Sequence, residues 1–177
     1  SMLDRDIPLW RNTAMTRVID EQGRVVGLEV KRNGRLLRIQ ARKAVVLAAG
    51  GFEHNQEKRE KYLPKPTDHR WSAGTRDNTG DAIREGMRLG ARMHRLNEAW
   101  WCNTISVPGE EIPRLSIMEK SYPGSIMVNP AGKRFSNESQ NYMAFQQDTF
   151  RAHSVENPCS PSWQIFDADF RARYFVG

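Results

Sequence analysis

Between residues 13 and 48 runs rich in apolar and β-branched residues are interrupted by two glycine-containing turns, and this predicts a β-meander feeding a buried strand. Strands are expected over 14–19, 25–31 and 36–41, with reversals at Gln22-Gly23 and Asn33-Gly34. The Asn-Gly dipeptide is a strong hairpin signal, because a two-residue turn needs positive φ at both central positions. A fourth strand is expected over 44–48, where AVVLA is apolar on both faces, as a central parallel strand covered on two sides would be. It runs into Gly50-Gly51. The pattern then changes. Residues 55–62 read as a short charged helix stopped by Pro64 and Pro66. Thr79-Gly80-Asp81 opens a second helix, with Thr79 as its N-cap, Ile83 and Met87 on one face and Gly90 at its close.

Near Trp100 and Trp101 the regular pattern gives way to aromatic residues and then to a Pro/Gly-rich stretch through Pro113. A domain boundary is expected there, dividing the chain into 1–100 and 101–177. Beyond it come a strand over 125–129, a turn at Asn129-Pro130-Ala131-Gly132, a return segment starting at Arg134-Phe135, a helix over 142–150, a strand over 163–166 and a helix over 168–174.

Composition narrows the class. The 177 residues, 38% of them hydrophobic, suffice for one real core. The net charge of +6 is dispersed, with basic and acidic residues interleaved as in Glu57-Lys58-Arg59-Glu60-Lys61, so a nucleic-acid partner is not expected. No apolar run approaches the roughly 20 residues of a membrane span, so an integral membrane protein is not expected either. Cys102 and Cys159 have neither metal spacing nor the pattern of a disulfide framework, which suits a reducing cytoplasm. His54, His69, His94 and His153 are isolated, and no metal site is expected.

Three places can carry chemistry. Gly50-Gly51 ends a strand without Cβ atoms, so it is either a tight turn or a place where backbone approaches a ligand. Asn78 to Ala82, NTGDA, is either a plain cap or a helix start whose amides face an electron-rich group. Tyr142, eight positions after Arg134, either packs at a helix start or presents a phenol, which can ionise when hydrogen bonding or nearby charge stabilises the phenolate. Arg134, Asn137 and Glu138 read as structural support. Trp100, Trp101, Leu115 and Met118 read as core.

The segment PGSIMVNPAGKRFSNESQNY, 123–142, closely resembles the substrate-domain signature of 3-ketosteroid dehydrogenases, a branch of the fumarate-reductase-like flavoproteins. AAGGF at 48–52 is similar to the Ala-Thr-Gly-Gly-Phe element of that superfamily, with Ala49 in place of Thr, and NTGDA to its Thr-Gly-Asp-Gly loop, with Ala82 in place of Gly. The resemblance covers nearly the whole chain. It implies an α+β / α/β fold: part of a flavin-binding domain, with the β-meander, a parallel-sheet strand and helices, followed by most of an α+β substrate-binding domain. It implies FAD, with Met15, Ala49, Gly50, Gly51, Asn78, Thr79, Gly80 and Asp81 on the cofactor side. Substrate contacts are implied at Trp101, Met118 and Ile126, with a steroid as substrate and an external electron acceptor.

Tyr142 would be the base that removes a proton beside the 3-keto group while hydride leaves the neighbouring carbon for flavin N5. In fumarate reductases an arginine stands at the same offset and donates a proton to the substrate, so a tyrosine here favours a bulky apolar ketone over a dicarboxylate. No G-x-G-x-x-G occurs, so the pyrophosphate-binding turn is expected upstream and a further flavin segment beyond Gly177. The chain is thus expected to be an internal fragment that alone is inactive and holds no stoichiometric FAD. A cytoplasmic location is expected, with membrane association through the substrate as an option. The alternatives are a fumarate- or succinate-type oxidoreductase and a non-catalytic binding domain.

Overall fold

The computed structural model describes residues 3–176. Its elements are β1 Thr13–Glu21, β2 Arg24–Arg32, β3 Arg35–Gln40, α1 Gln56–Tyr62, α2 Asp81–Arg88, β4 Thr104–Ile105, β5 Arg114–Leu115, β6 Ser125–Val128, α3 Tyr142–Ala152, β7 Trp163–Phe166 and α4 Ala168–Arg173. Packing divides them into two units: Ser1–Gly51 with Asn78–His94, and Phe52–Asp77 with Arg95–Gly177. This division differs from the composition boundary at residue 100, since the segment from Phe52 to Asp77 packs with the later part of the chain.

The first unit is the meander and α2. The strands pair antiparallel in the order β1-β2-β3. Both hairpin turns take the expected geometry, with φ of 49° and 81° at Gln22 and Gly23 and 49° and 80° at Asn33 and Gly34. Val18 and Val30 are the buried valines of the sheet, and Ala82, Glu85 and Gly86 are the buried residues of α2, which packs on β1. β1 is an edge strand, and an edge leaves backbone groups without a ladder partner. Here α2 supplies them. The Val18 N–H donates to Glu85 Oε2 at 2.9 Å, Arg88 Nη2 donates to the Val18 carbonyl at 2.5 Å, and Arg88 also donates to Glu85 and to Asp20.

Burial, at 4% exposure, pushes the Glu85 carboxyl up. The Val18 amide and Arg88 outweigh that, so its pKa lies below the ordinary carboxylate value of about 4.3. A carboxyl depressed in the folded state stabilises fully above its unfolded pKa and loses that contribution as pH falls through the folded one. Urea midpoints of the wild-type chain should therefore fall as pH drops below about 4.3, and part of that acid dependence should vanish in Glu85→Gln. Equal acid dependence in the two proteins would refute the assignment.

Two expectations need correction. Residues 44–48 form no ladder: the described strand pairs are all antiparallel, and Val46 and Leu47 are 86% and 38% exposed. A strand apolar on both faces needs a partner on each side and a layer above and below, and the described residues supply neither. Thr79 is not the N-cap of α2. That position is held by Gly80 at φ 80°, and the Thr79 hydroxyl donates instead to Asp81 at 2.8 Å.

In the second unit β6 pairs antiparallel with β7, placing Ile126 opposite Ile165 and Val128 opposite Trp163. The short β4–β5 pair, which no alternation announces, is closed by the Ser116 N–H donating to the Asn103 carbonyl. Phe145 and Phe170 are fully buried aromatic side chains of this unit, the latter against Phe166 and Tyr174. Asn55, Asn141 and Asp167 cap α1, α3 and α4 through their side chains.

Candidate active site

The approach to Tyr142 is built from one strand, one turn and one buried carboxylate. β6 leads into Asn129, which is 2% exposed, and its Oδ1 accepts from the Ala131 and Lys133 amides while Gly132 takes φ 71°. The chain thereby reverses and brings Arg134 back beside Val128. Glu138, 5% exposed, accepts from the Met127 N–H at 2.7 Å and from Arg134 Nη2 at 2.6 Å. Burial pushes this carboxyl up, while the guanidinium and the Met127 amide hold it below its ordinary range. The structural role expected for Arg134 and Glu138 is thus visible as an ion pair anchored on a strand amide. Asn137 makes a local turn with the Ser139 N–H.

Lys120 fixes the other side. It is 1% exposed, and its ammonium donates to the carbonyls of Glu138 at 2.8 Å and Gln140 at 2.7 Å and to the Ser121 hydroxyl at 3.0 Å. Gln140 and Ser136 donate to Asp148, tying the same segment to the second turn of α3. Asn141 accepts from the Ala144 N–H and starts the helix, so Tyr142 is its first residue.

Tyr142 is half-buried, and its Oη accepts a hydrogen bond from Trp100 Nε1 at 2.8 Å. Trp100, expected in the core, is 81% exposed, and Leu115 and Met118 are also exposed, at 52% and 58%. Trp101 is buried edge-on against Phe150 at 5.0 Å. It lines a cavity of about 500 Å³ with Asn103, Lys120, Gln146, Phe150 and Trp163, and Asn103 Oδ1 is buried there without a partner among the described residues. Ile126, 38% exposed, lines a separate open cleft with Ile165 and Phe166. The three expected substrate contacts are therefore one cavity-lining side chain and two outward-facing ones. Sequence reasoning missed Lys120, whose neighbours give no sign of burial, and the bond from Trp100.

In the first unit the two glycine loops meet. Gly50 has φ 71°, and a Cβ there would lie 2.3 Å from Asn78 Oδ1, so only glycine permits the approach. Gly50 and Ala49 are exposed, Gly51 is half-buried, and Gly80 opens α2 without a side-chain cap. Met15 lies half-buried on β1 opposite Val30.

Residues 1–176 match the model of the FAD binding domain family, and the chain belongs to that family. Over 97% of its length it is 38% identical to the 3-oxosteroid 1-dehydrogenase of Mycolicibacterium smegmatis, covering 32% of that protein. It is also 38% identical over 89% of its length to the 4-oxocyclohexanecarboxylate 2-dehydrogenase of Sinomonas cyclohexanicum, covering 28% of it. The crystal structure of 3-ketosteroid delta1-dehydrogenase from Sterolibacterium denitrificans in complex with 1,4-androstadiene-3,17-dione matches with a TM-score of 0.93 and 46% identity, over 99% of this chain and 32% of that one. The chain spans about a third of the length of these relatives. Its residues fit part of a flavin site: exposed glycine backbone at 50 and a glycine-opened helix start at 80 converge in one unit, and neither presents a Cβ to a planar ring.

Proposed function

We propose that this chain serves within an FAD-dependent 3-ketosteroid dehydrogenase, supplying the base Tyr142, apolar substrate contacts at Trp101, Met118 and Ile126, and cofactor contacts at Met15, Ala49, Gly50, Gly51, Asn78, Thr79, Gly80 and Asp81. One observation carries the reading: a phenol stands at the start of α3, while the arginine of the same signature, Arg134, is committed to Glu138. A carboxylate substrate needs a cation with free donors, and here the site offers a hydroxyl and apolar area. The relatives named for 3-oxosteroid 1-dehydrogenation favour the 1,2 bond.

Tyr142 Oη, as phenolate, takes the proton from carbon 2, which the neighbouring ketone acidifies, and becomes the phenol. FAD, when bound, would supply the acceptor for the hydride from carbon 1, and the 1,2 double bond forms from the electron pair left at carbon 2. The proton on Tyr142 then passes to solvent. An external electron acceptor, a cytoplasmic location and membrane association through the substrate belong to the same proposal.

The test is a titration of the flavin-loaded enzyme with a 3-ketosteroid and, separately, with fumarate and succinate. A steroid burying about 300 Å² of apolar surface at about 25 cal/mol per Å² gains several kcal/mol before binding costs. A dicarboxylate would be desolvated without a partner. Saturable flavin spectral shifts are expected with the steroid alone. A response to fumarate with none to the steroid would move the chain to the fumarate-reductase branch.

A further inference from the structure

The geometry points to Trp100 as a positioning residue for Tyr142, an inference that rests on the reading of Tyr142 as the base. The indole N–H is a donor with no acceptor capacity, so in the 2.8 Å bond from Trp100 Nε1 the Tyr142 oxygen must accept. That direction matters. A partner accepting from the phenol would hold the proton on its oxygen, whereas a pure donor leaves the other lone pairs of the oxygen free to receive a substrate proton and bonds a phenolate oxygen more strongly than a neutral one.

The bond also limits rotation of the phenol. Tyr142 is anchored at its backbone end by the Asn141 cap and the Lys120 bonds to the preceding carbonyls, and Trp100 fixes the far end of the ring. Trp100 has little other structural work, since 81% of its surface is exposed, while the adjacent Trp101 does the packing against Phe150. Three nearby charges are committed elsewhere: Lys120 to carbonyls, Arg134 to Glu138, and Asp148 to Gln140, Ser136 and Arg151. A neutral donor is thus the group assigned to the oxygen.

The test compares Trp100→Phe, which keeps a ring and loses the N–H, with Trp100→His, which keeps an N–H on a smaller ring, in the flavin-loaded enzyme. Losing the bond that orients the Tyr142 oxygen should lower kcat about tenfold at an exposed position, with KM for the steroid changing less than about threefold. Slower proton removal should raise the kinetic isotope effect with substrate deuterated at carbon 2 more than with substrate deuterated at carbon 1. Histidine should recover part of the loss.

Unchanged kcat in Trp100→Phe, a loss confined to KM, or equal changes in the two isotope effects would overturn the inference. A histidine variant no better than phenylalanine would also count against it. Tyr142→Phe is measured alongside. If Tyr142→Phe is inactive and Trp100→Phe is normal, only the Trp100 inference fails; if Tyr142→Phe keeps wild-type turnover, the base assignment fails and takes the Trp100 inference with it.

Discussion

Tyr142→Phe is expected to lower turnover of the flavin-loaded enzyme by roughly 10² to 10⁴, the span for loss of a general acid–base group, with little change in flavin content or steroid affinity. The change removes one hydroxyl and keeps the ring, so the start of α3 keeps its Asn141 cap and its side-chain volume. Packing elsewhere on the helix is untouched, because Phe145 and Thr149 are the residues it buries. Steady-state kcat, flavin absorbance and steroid titration on the same preparation separate the cases. Wild-type turnover in the variant would remove Tyr142 from the mechanism, and loss of flavin together with turnover would point to a structural role.

The elements that local chemistry specifies were legible in the sequence. Gln22-Gly23 and Asn33-Gly34 needed positive φ and obtained it, and the strand-forming runs on either side of them pair as the meander. Asn129 through Gly132 likewise forecast the reversal that carries Arg134 back beside β6. Illegible features depend on partners distant in the chain. Glu85 and Arg88 read as ordinary charges on a helix face, yet they satisfy the edge of β1 from 67 and 70 residues away. Residues 44–48 show the converse. Their apolar pattern is local, but strand pairing is a property of neighbours, which the described residues do not provide.

At the candidate site the sequence located Tyr142 and its ion-paired Arg134, because their offset is a property of the motif itself. The donor on the Tyr142 oxygen comes from Trp100, 42 residues earlier, and the support for the preceding carbonyls from Lys120, about 20 residues earlier. A tryptophan beside another tryptophan suggests hydrophobic packing, and the structure divides the two tasks, with Trp101 packed and Trp100 outward. The glycine loops at 50 and 80 could each have been a bare turn; the approach of Gly50 to Asn78 makes them one feature.

Lys120→Met should be the most damaging change outside the reacting groups. Methionine fills a similar volume, but it leaves the Gln140 carbonyl without the ammonium and the Glu138 carbonyl with only the Ser121 hydroxyl. A hydrogen bond to a charged group contributes about 1.5–3 kcal/mol, and a buried acceptor left bare costs about 1–3 kcal/mol. Two such bonds would set a larger total than we expect. Burial pushes the Lys120 ammonium below its ordinary range, so the native charge already carries a desolvation cost that methionine relieves. The lost attraction to the Phe145 face, 5.2 Å away, acts in the opposite sense and is small. The net destabilisation should be about 2–3 kcal/mol, visible as a lower urea midpoint at unchanged slope. The bonds lost are those that hold Glu138 and Gln140 ahead of the Asn141 cap, so the same variant should also place Tyr142 less well. A displacement of about 1 Å can cost 10²-fold in rate. Turnover measured well below the unfolding midpoint should therefore fall at least tenfold in protein that is still folded and flavin-loaded. A variant with a normal midpoint and normal turnover would show that the Lys120 bonds neither support the fold nor position the tyrosine.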